Sequence, residues 1–346
     1  MEKTIFVVDD MNTNLVAAEQ ALEQYYNVIT IPSGKKALAM LERIIPHLIL
    51  LDIHMPEMNG FEVLEQLKAS KKYRDIPVML ITGMSEVDLE VKGFEMGVVD
   101  FVKKPFSEPV LVNRVKLHID LHQLLYERTL KLTQAVQNRI YILASIVEQR
   151  NRPVGGHIER VAKFVEILVK AMLEKGVYPE ETKDWDPKEI ARCAILHDIG
   201  NIRITDTILT KPDKLTLEEF EIVKTHTSAG AHIIDQVMAR DGDSTFMHHA
   251  KMFALYHHEL WNGKGYPYGL AGTDIPIHGR IMALVDAYDN YIVTKLTKEF
   301  PRKQIVVEMI MQESGNLFDP KIVEVFNLVK KQFEAVKVES DGDRSY

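Results

Sequence analysis

The sequence predicts a doubly wound α/β domain over residues 1–120, then a helical linker over 121–150 and an all-α domain over 151–335. Three observations carry this reading. The 346 residues are about twice what one hydrophobic core usually organises. In the first third, short apolar runs alternate with helix-period segments, the pattern of βαβ units around a parallel sheet. Beyond Asn151 the alternation stops, and helical periods divided by Gly, Pro and Asp turns take over.

In chain order, Ile5–Val8 reads as a strand, Leu15–Tyr25 as a helix, Leu48–Leu51 as a strand, Phe61–Leu67 as a helix and Val78–Ile81 as a strand. From Leu121 to Val147 there is neither Gly nor Pro. Leu125, Leu132, Val136, Leu143 and Ile146 form a stripe at spacings of three and four there, so one long helix is expected. Thr129 and Arg139 interrupt the stripe, which suits a helical hairpin or a short dimeric coiled coil better than a strong zipper. A homodimer through this helix is the expectation. NRPVGG at Asn151–Gly156 ends it, helical sequence then runs to about Phe333, and residues 336–346 read as a frayed tail.

Composition excludes several classes. Against 42 Lys+Arg stand 50 Asp+Glu, a net charge of −8 with no basic patch, which argues against nucleic acid and anionic membrane as partners. The single cysteine, Cys193, cannot build an internal disulfide and suits a reducing compartment. The opening MEKTIFVVDD puts an acidic pair where a signal peptide would carry its cleavage region. No apolar run approaches the roughly 18 residues of a membrane span, so a cytoplasmic protein without membrane insertion is expected.

In a parallel sheet, functional groups collect at the carboxyl ends of the strands. The residues just past the apolar runs are Asp9 and Asp10, Asp52, Thr82, and Lys104 before Pro105. Three carboxylates at one edge repel unless they share a hard cation, and oxygen ligation of that kind suits Mg²⁺. A lysine and a threonine beside them can hold the oxygens of a transferred phosphoryl group, with one aspartate as nucleophile. The motifs VVDD (Val7–Asp10), LDIHMPEMNG (Leu51–Gly60), ITG around Thr82 and DFVKKP (Asp100–Pro105) resemble the receiver domain of two-component response regulators. The resemblance implies a flavodoxin-like fold and Asp52 as phospho-acceptor. It also implies Mg²⁺ held by Asp9, Asp10, Asp52 and the His54 carbonyl, Thr82 and Phe101 as a switch pair, and Lys104 as the phosphate contact. A cognate sensor histidine kinase would be the partner.

The second half contains His157, the pair His197-Asp198, His226, the pair His257-His258, and Asp286. Neighbours on a helix diverge by about 100°, so an adjacent pair reaches one site only at a helix end or beside two metals it straddles. Five imidazoles and two carboxylates give each of two metals about four ligands if one carboxylate bridges. Mixed N/O ligation suits Fe, Mn, Ni or Zn, and a metal pair suits in-line displacement at phosphorus.

Further motifs follow in order: HIER (His157–Arg160), HDIG (His197–Gly200), TDTILTKPDKLTLEEFEIVKTH (Thr205–His226), HHELWNGKGYPYGL (His257–Leu270), RIMALVDAYD (Arg280–Asp289) and FDP (Phe318–Pro320). Together they resemble the HD-GYP phosphodiesterases, a branch of the HD superfamily. The resemblance implies hydrolysis of cyclic di-GMP to pGpG and GMP, with His197 and Asp198 at the catalytic centre. It places His157, His197, Asp198 and Asp286 on one metal, with Asp198 bridging to a second held by His226, His257 and His258. Asn262, Gly265 and Tyr266 would form the recognition loop. His248 and His249 read as a surface pair, and His47, His118, His122, His232 and His278 as structural or solvated.

Three departures from the family pattern bear on activity. Asn201 stands where HDIGK has lysine, Lys295 where an arginine belongs with Lys298 completing the run, and Pro153 where a three-metal member has a glutamate ligand. Proline cannot ligate, so two metals are expected. A neutral contact at Asn201 is roughly half as strong as a charged one. The competing reading is a cyclic di-GMP or pGpG sensor with little turnover, or a hydrolase of a related dinucleotide.

Overall fold

The computed structural model describes residues 3–83, 87–151, 156–295 and 303–337. Strands β1 (Thr4–Val8), β2 (Asn27–Ile31), β3 (Leu48–Asp52), β4 (Val78–Thr82) and β5 (Asp100–Lys103) pair in parallel in the order β2-β1-β3-β4-β5. This is the flavodoxin-like order. Helices α1 (Asn12–Leu22), α2 (Gly34–Leu41), α3 (Gly60–Ala69), α4 (Val87–Glu95) and the first turns of α5 (Glu108–Asn151) accompany the sheet.

The central strands are apolar at nearly every position because both faces are covered. Ile5, Val7, Leu48, Leu50, Met79 and Ile81 pack with Leu15, Ala18 and Leu22 of α1 and with Leu111, Val115 and Ile119 of α5. Phe6, Val8, Ile49, Leu51, Val78 and Leu80 pack on the other side with Ala37 and Leu41 of α2 and Val63, Leu64 and Leu67 of α3. The register sets Val8 beside Leu51, Asp52 beside Ile81 and Thr82 beside Lys103, so the strand-end residues gather at one edge.

The second compact unit is Ala135–Tyr346, the first Met1–Gln134. In the second, the elements after α5 are helical: α6 (His157–Lys175), α7 (Pro179–Thr182), α8 (Pro187–Ala194), α9 (Asp206–Leu209), α10 (Leu217–Lys224), α11 (His226–Asp241), α12 (Thr245–Tyr256), α13 (Ile277–Lys295), α14 (Lys303–Gln312) and α15 (Pro320–Ala335). Their ends are written locally. Thr216 and Glu219 form a capping box on α10, and Asp319 caps α15 ahead of Pro320. An aromatic cluster sits in a largely aliphatic core: Phe164 of α6 stacks on Phe333 of α15 at 4.7 Å, and Tyr288 of α13 meets both edge-on. That packing fixes α6 against α13, the helices that carry His157 and Asp286.

The sequence reading and the structure differ at three elements. The long helix begins at Glu108 rather than Leu121, so the last helix of the sheet domain and the expected linker are one element. The boundary between the two units falls inside it. The first helix stops at Leu22, short of Tyr25. Strand β2 is absent from the apolar-run reading because it is an edge strand whose middle is only half buried, leaving a weak apolar signal. Among the described residues, no helix is long and apolar enough to cross a membrane.

Candidate metal centre

At the carboxyl edge of the sheet, Asp9, Asp10 and Asp52 each place one oxygen within 4.8 Å of the others, a group that could hold a cation. Asp9 and Asp52 are buried and Asp10 is exposed. Lys104 Nζ lies 2.7 Å from Asp9 Oδ2 and 2.7 Å from Asp52 Oδ1, and its backbone N–H donates to the Thr82 carbonyl. Burial is the main influence on Asp52 and raises its carboxyl; Lys104 opposes this, and Asp9 adds to it. Thr82 and Phe101 are both buried, with the Phe101 ring edge-on to Phe94 at 5.1 Å. His54 is exposed in the loop after β3.

In the second unit the histidines sit at helix ends. His157 is the first residue of α6 and His226 the first of α11; His197-Asp198 follow α8, and His257-His258 follow α12. The last carbonyls of a helix lack partners within it. Here they accept from imidazoles: His197 Nδ1 bonds to the Ala194 carbonyl at 2.9 Å, His226 Nδ1 to that of Val223 at 2.7 Å, and His257 Nδ1 to that of Ala254 at 3.0 Å. His157, at a helix start with no spare carbonyl, uses a carboxylate instead, Asp289 Oδ2 at 2.7 Å.

With Nδ1–H donated outward in four rings, each Nε2 is left with a lone pair. Those nitrogens face one another: His157 Nε2 is 3.4 Å from His197 Nε2, and His226 Nε2 is 3.0 Å from His257 Nε2. Lone pairs aimed together at such distances repel unless a cation lies among them, so the donor set fits metal ions. Asp198 stands between the two pairs. Its Oδ2 lies 3.6 Å from His197 Nε2, and its Oδ1 lies 3.4 Å and 3.6 Å from those of His226 and His257. Asp286 Oδ1 comes within 3.7 Å of His157 Nε2, and its Oδ2 accepts from the Asn290 amide. Two groups thus emerge that could each hold an ion: His157, His197 and Asp198, and His226, His257 and His258.

The protonation states agree with ligation. Burial pulls His197 down to about 4 and lowers His226 and His258 as well, leaving these rings neutral near pH 7. Burial would raise the Asp198 carboxyl, but the imidazoles of His197, His257 and His226 hold it well below the usual carboxylate range.

Comparison with known proteins places both halves. The response regulator receiver domain family matches residues 5–116, and the HD domain family matches residues 141–322. A Vibrio cholerae protein named "Probable cyclic di-GMP phosphodiesterase" is 36% identical over 345 residues, 95% of this chain and 78% of that protein. The chain belongs to the receiver–HD response regulators. The Xanthomonas campestris cyclic di-GMP phosphodiesterase response regulator RpfG is 30% identical over 84% of this chain and 77% of its own. A Thermotoga maritima cyclic di-GMP phosphodiesterase is 30% identical over 99% and 95%.

In this receiver–HD chain the loop after α12 is packed onto the histidines. Gly265 is required there: a Cβ would meet the Leu260 nitrogen at 2.4 Å and the His258 carbonyl at 2.5 Å. That close approach lays the Tyr266 ring on His258 at 4.6 Å. Buried Glu259 accepts the Tyr268 and Leu270 N–H groups and holds the loop closed. Asn262 bonds to Asn316 and to the Lys264 N–H, so its amide shapes the loop. Asn201 is buried and lines a small cavity with His157, Asp198 and Glu148. Lys298 and the Lys295 side chain lie outside the described residues, as does Pro153.

One histidine reading needs correction. His248 is a surface residue paired with Asp243, but His249 is half-buried, its Nδ1 2.8 Å from Nε2 of buried His278. Sequence reasoning also missed Asp289, which is fully buried and accepts from His157 Nδ1 and from Arg160 at 2.6 Å and 3.0 Å. A signal was available, since Asp289 lies three residues after Asp286, on the same side of α13.

Proposed function

We propose that this response regulator hydrolyses a phosphodiester bond of cyclic di-GMP, giving pGpG and then GMP, under control of phosphorylation at Asp52 by a cognate sensor histidine kinase. The names of the three relatives give the substrate. The observation that carries the chemistry is the pair of converging Nε2 sets with Asp198 between them. We assign His157, His197, Asp198 and Asp286 to one ion of Fe, Mn, Ni or Zn, and His226, His257, His258 and bridging Asp198 to a second. When bound, such a pair lowers the pKa of water and neutralises phosphoryl oxygens.

The protein's own groups do the rest. Asp198 and Asp286 bring negative charge to the metal positions, and the Nδ1 acceptors hold the imidazoles in one tautomer. Burial raises the Tyr266 phenol, so it stays protonated and can donate an O–H to the substrate. Lys295 and Lys298 are assigned to the phosphate not being cleaved, and Asn262 and Gly265 to the shape of the recognition loop. In the receiver, residues 1–120, Asp9, Asp10, Asp52 and the His54 carbonyl are assigned to Mg²⁺, Lys104 to the phosphoryl oxygens, and Thr82 with Phe101 to the switch. Residues 121–150 link it to the hydrolase, 151–335, in a cytoplasmic homodimer.

Buried Asn201 favours a second reading, a sensor with little turnover, because it brings no positive charge to the cavity that it lines with His157 and Asp198. Turnover of cyclic di-GMP and pGpG by Mn²⁺- or Fe²⁺-loaded protein, with and without a phosphoryl mimic, separates the two. The paired substitution Asn201→Lys and Lys295→Arg is expected to raise the specificity constant by about 1–2 kcal/mol, the scale of one or two charged hydrogen bonds. No gain at unchanged metal content would favour the sensor.

A further inference from the structure

The first N–H groups of an α-helix have no partner inside the helix and call for a cap. Helix α6 begins at His157 without the usual one: the preceding residue is Gly156, at φ 85° and with no side chain to accept. The acceptor comes from another element. Glu148, in the last turns of α5 and 8% exposed, takes the His157 N–H on Oε1 at 2.7 Å. Its carboxylate also faces the positive end of the α6 dipole.

Two residues further along α5, Arg150 anchors the same turn to the other side of the site. Its guanidinium donates to Asp206 Oδ1 at 2.6 Å and 3.1 Å and to the Ile204 carbonyl at 3.1 Å, in the segment that follows His197 and Asp198. The end of α5 therefore holds the start of α6 through Glu148 and the stretch after the His-Asp pair through Arg150.

We propose that Glu148 is a positioning residue for His157. The Asp289 carboxylate fixes the imidazole at Nδ1, and Glu148 fixes the backbone that carries it, so Nε2 has one direction in which to point. The last turns of α5 then set the metal affinity of the site. Because α5 is continuous from Glu108, where Leu111, Val115 and Ile119 join the receiver core, the element that positions His157 is also the one that leaves the receiver. The inference rests on the reading of His157 as a metal ligand.

The test is Mn²⁺ titration of the metal-free full-length chain, with metal content measured after loading, for the native protein, Glu148→Ala, Glu148→Gln and His157→Ala. Glu148→Ala is expected to weaken Mn²⁺ binding roughly 10–100-fold, the range for residues that orient a ligand, while the metal-free form stays folded with a melting temperature lowered as the loss of a helix cap lowers it. Glu148→Gln keeps an oxygen acceptor for the His157 N–H and is expected to retain most of the affinity. Native affinity in a folded Glu148→Ala overturns the proposal. Loss in Glu148→Gln equal to that in the alanine variant also overturns it, because the carboxylate would then act as a ligand or a charge. Should Glu148→Ala not fold, the glutamine variant decides alone. Undiminished Mn²⁺ binding by His157→Ala would locate the failure in the ligand assignment, and the positioning role would fall with it.

Discussion

His278 gives the second unit an acid-sensitive point. Burial is the main cause that pulls its imidazole down to about 3, and the neighbouring His249 and Arg280 push the same way. The unfolded chain would protonate it near 6.5, so between pH 6.5 and 3 the unfolded state binds more protons and stability rises with pH. The stabilisation is complete above pH 6.5 and falls as the solution is acidified, by up to about 1.4 kcal/mol per pH unit. Urea unfolding at pH 7.5 and 5.5 should show a larger loss in the native protein than in His278→Phe, a ring that suits contacts with Trp185 and Phe253. Equal losses would place the sensitivity elsewhere. At this scale, legibility depended on how local the cause was. His197, His226 and His257 bond to carbonyls three residues back, and their gathering at helix ends could be read from helix boundaries and motifs. The His249–His278 pair joins residues 29 apart, and Glu148 of α5 reaches His157 at the start of α6, so neither was visible in the sequence.

Among the elements, α11 meets the turn after Asp198 closely. A Cβ on Gly200 would stand 1.9 Å from the His226 carbonyl and 2.6 Å from the Gly230 nitrogen, both backbone atoms that cannot step aside. Gly200→Ala is therefore expected to push α11 away and cost about 1–3 kcal/mol, the scale of overpacking. Because His226 opens α11, the same variant should lose metal content, which elemental analysis of the folded protein would reveal. A native melting temperature and full metal content would mean that the turn yields. The helix-period and strand-period runs foretell the two fold classes, but the expected long helix from Leu121 leaves out the first turns of α5, which open with Glu108 and Pro109. In a first turn proline loses no helix hydrogen bond, and α5 simply begins there.

For the whole molecule, the decisive surface is the exposed length of α5. Leu125, Leu132, Val136, Leu143 and Ile146 are all more than half exposed, an apolar stripe that one chain leaves uncovered. Pairing with a second copy would cover it, and Leu132→Glu with Val136→Glu should then shift the light-scattering mass from dimer to monomer. A native protein that is already monomeric at assay concentrations would exclude this association. The sequence could supply the stripe but not its length, since the register continues into a helix that is also part of the receiver core.

The proposed ligand set, spread over five places between His157 and Asp286, also has a mechanical meaning. An ion held by side chains so far apart in the chain closes long loops, as a cross-link would, in a protein whose single cysteine is buried and unpaired. Ions that bind only the folded form add stability as their concentration rises, about 2.7 kcal/mol at a hundred times the dissociation constant. The two halves should then part company on heating. Removing the transition metal at constant Mg²⁺ is expected to lower the melting transition of the helical unit and leave that of the receiver in place, so that scanning calorimetry resolves one transition that follows the transition metal and one that does not.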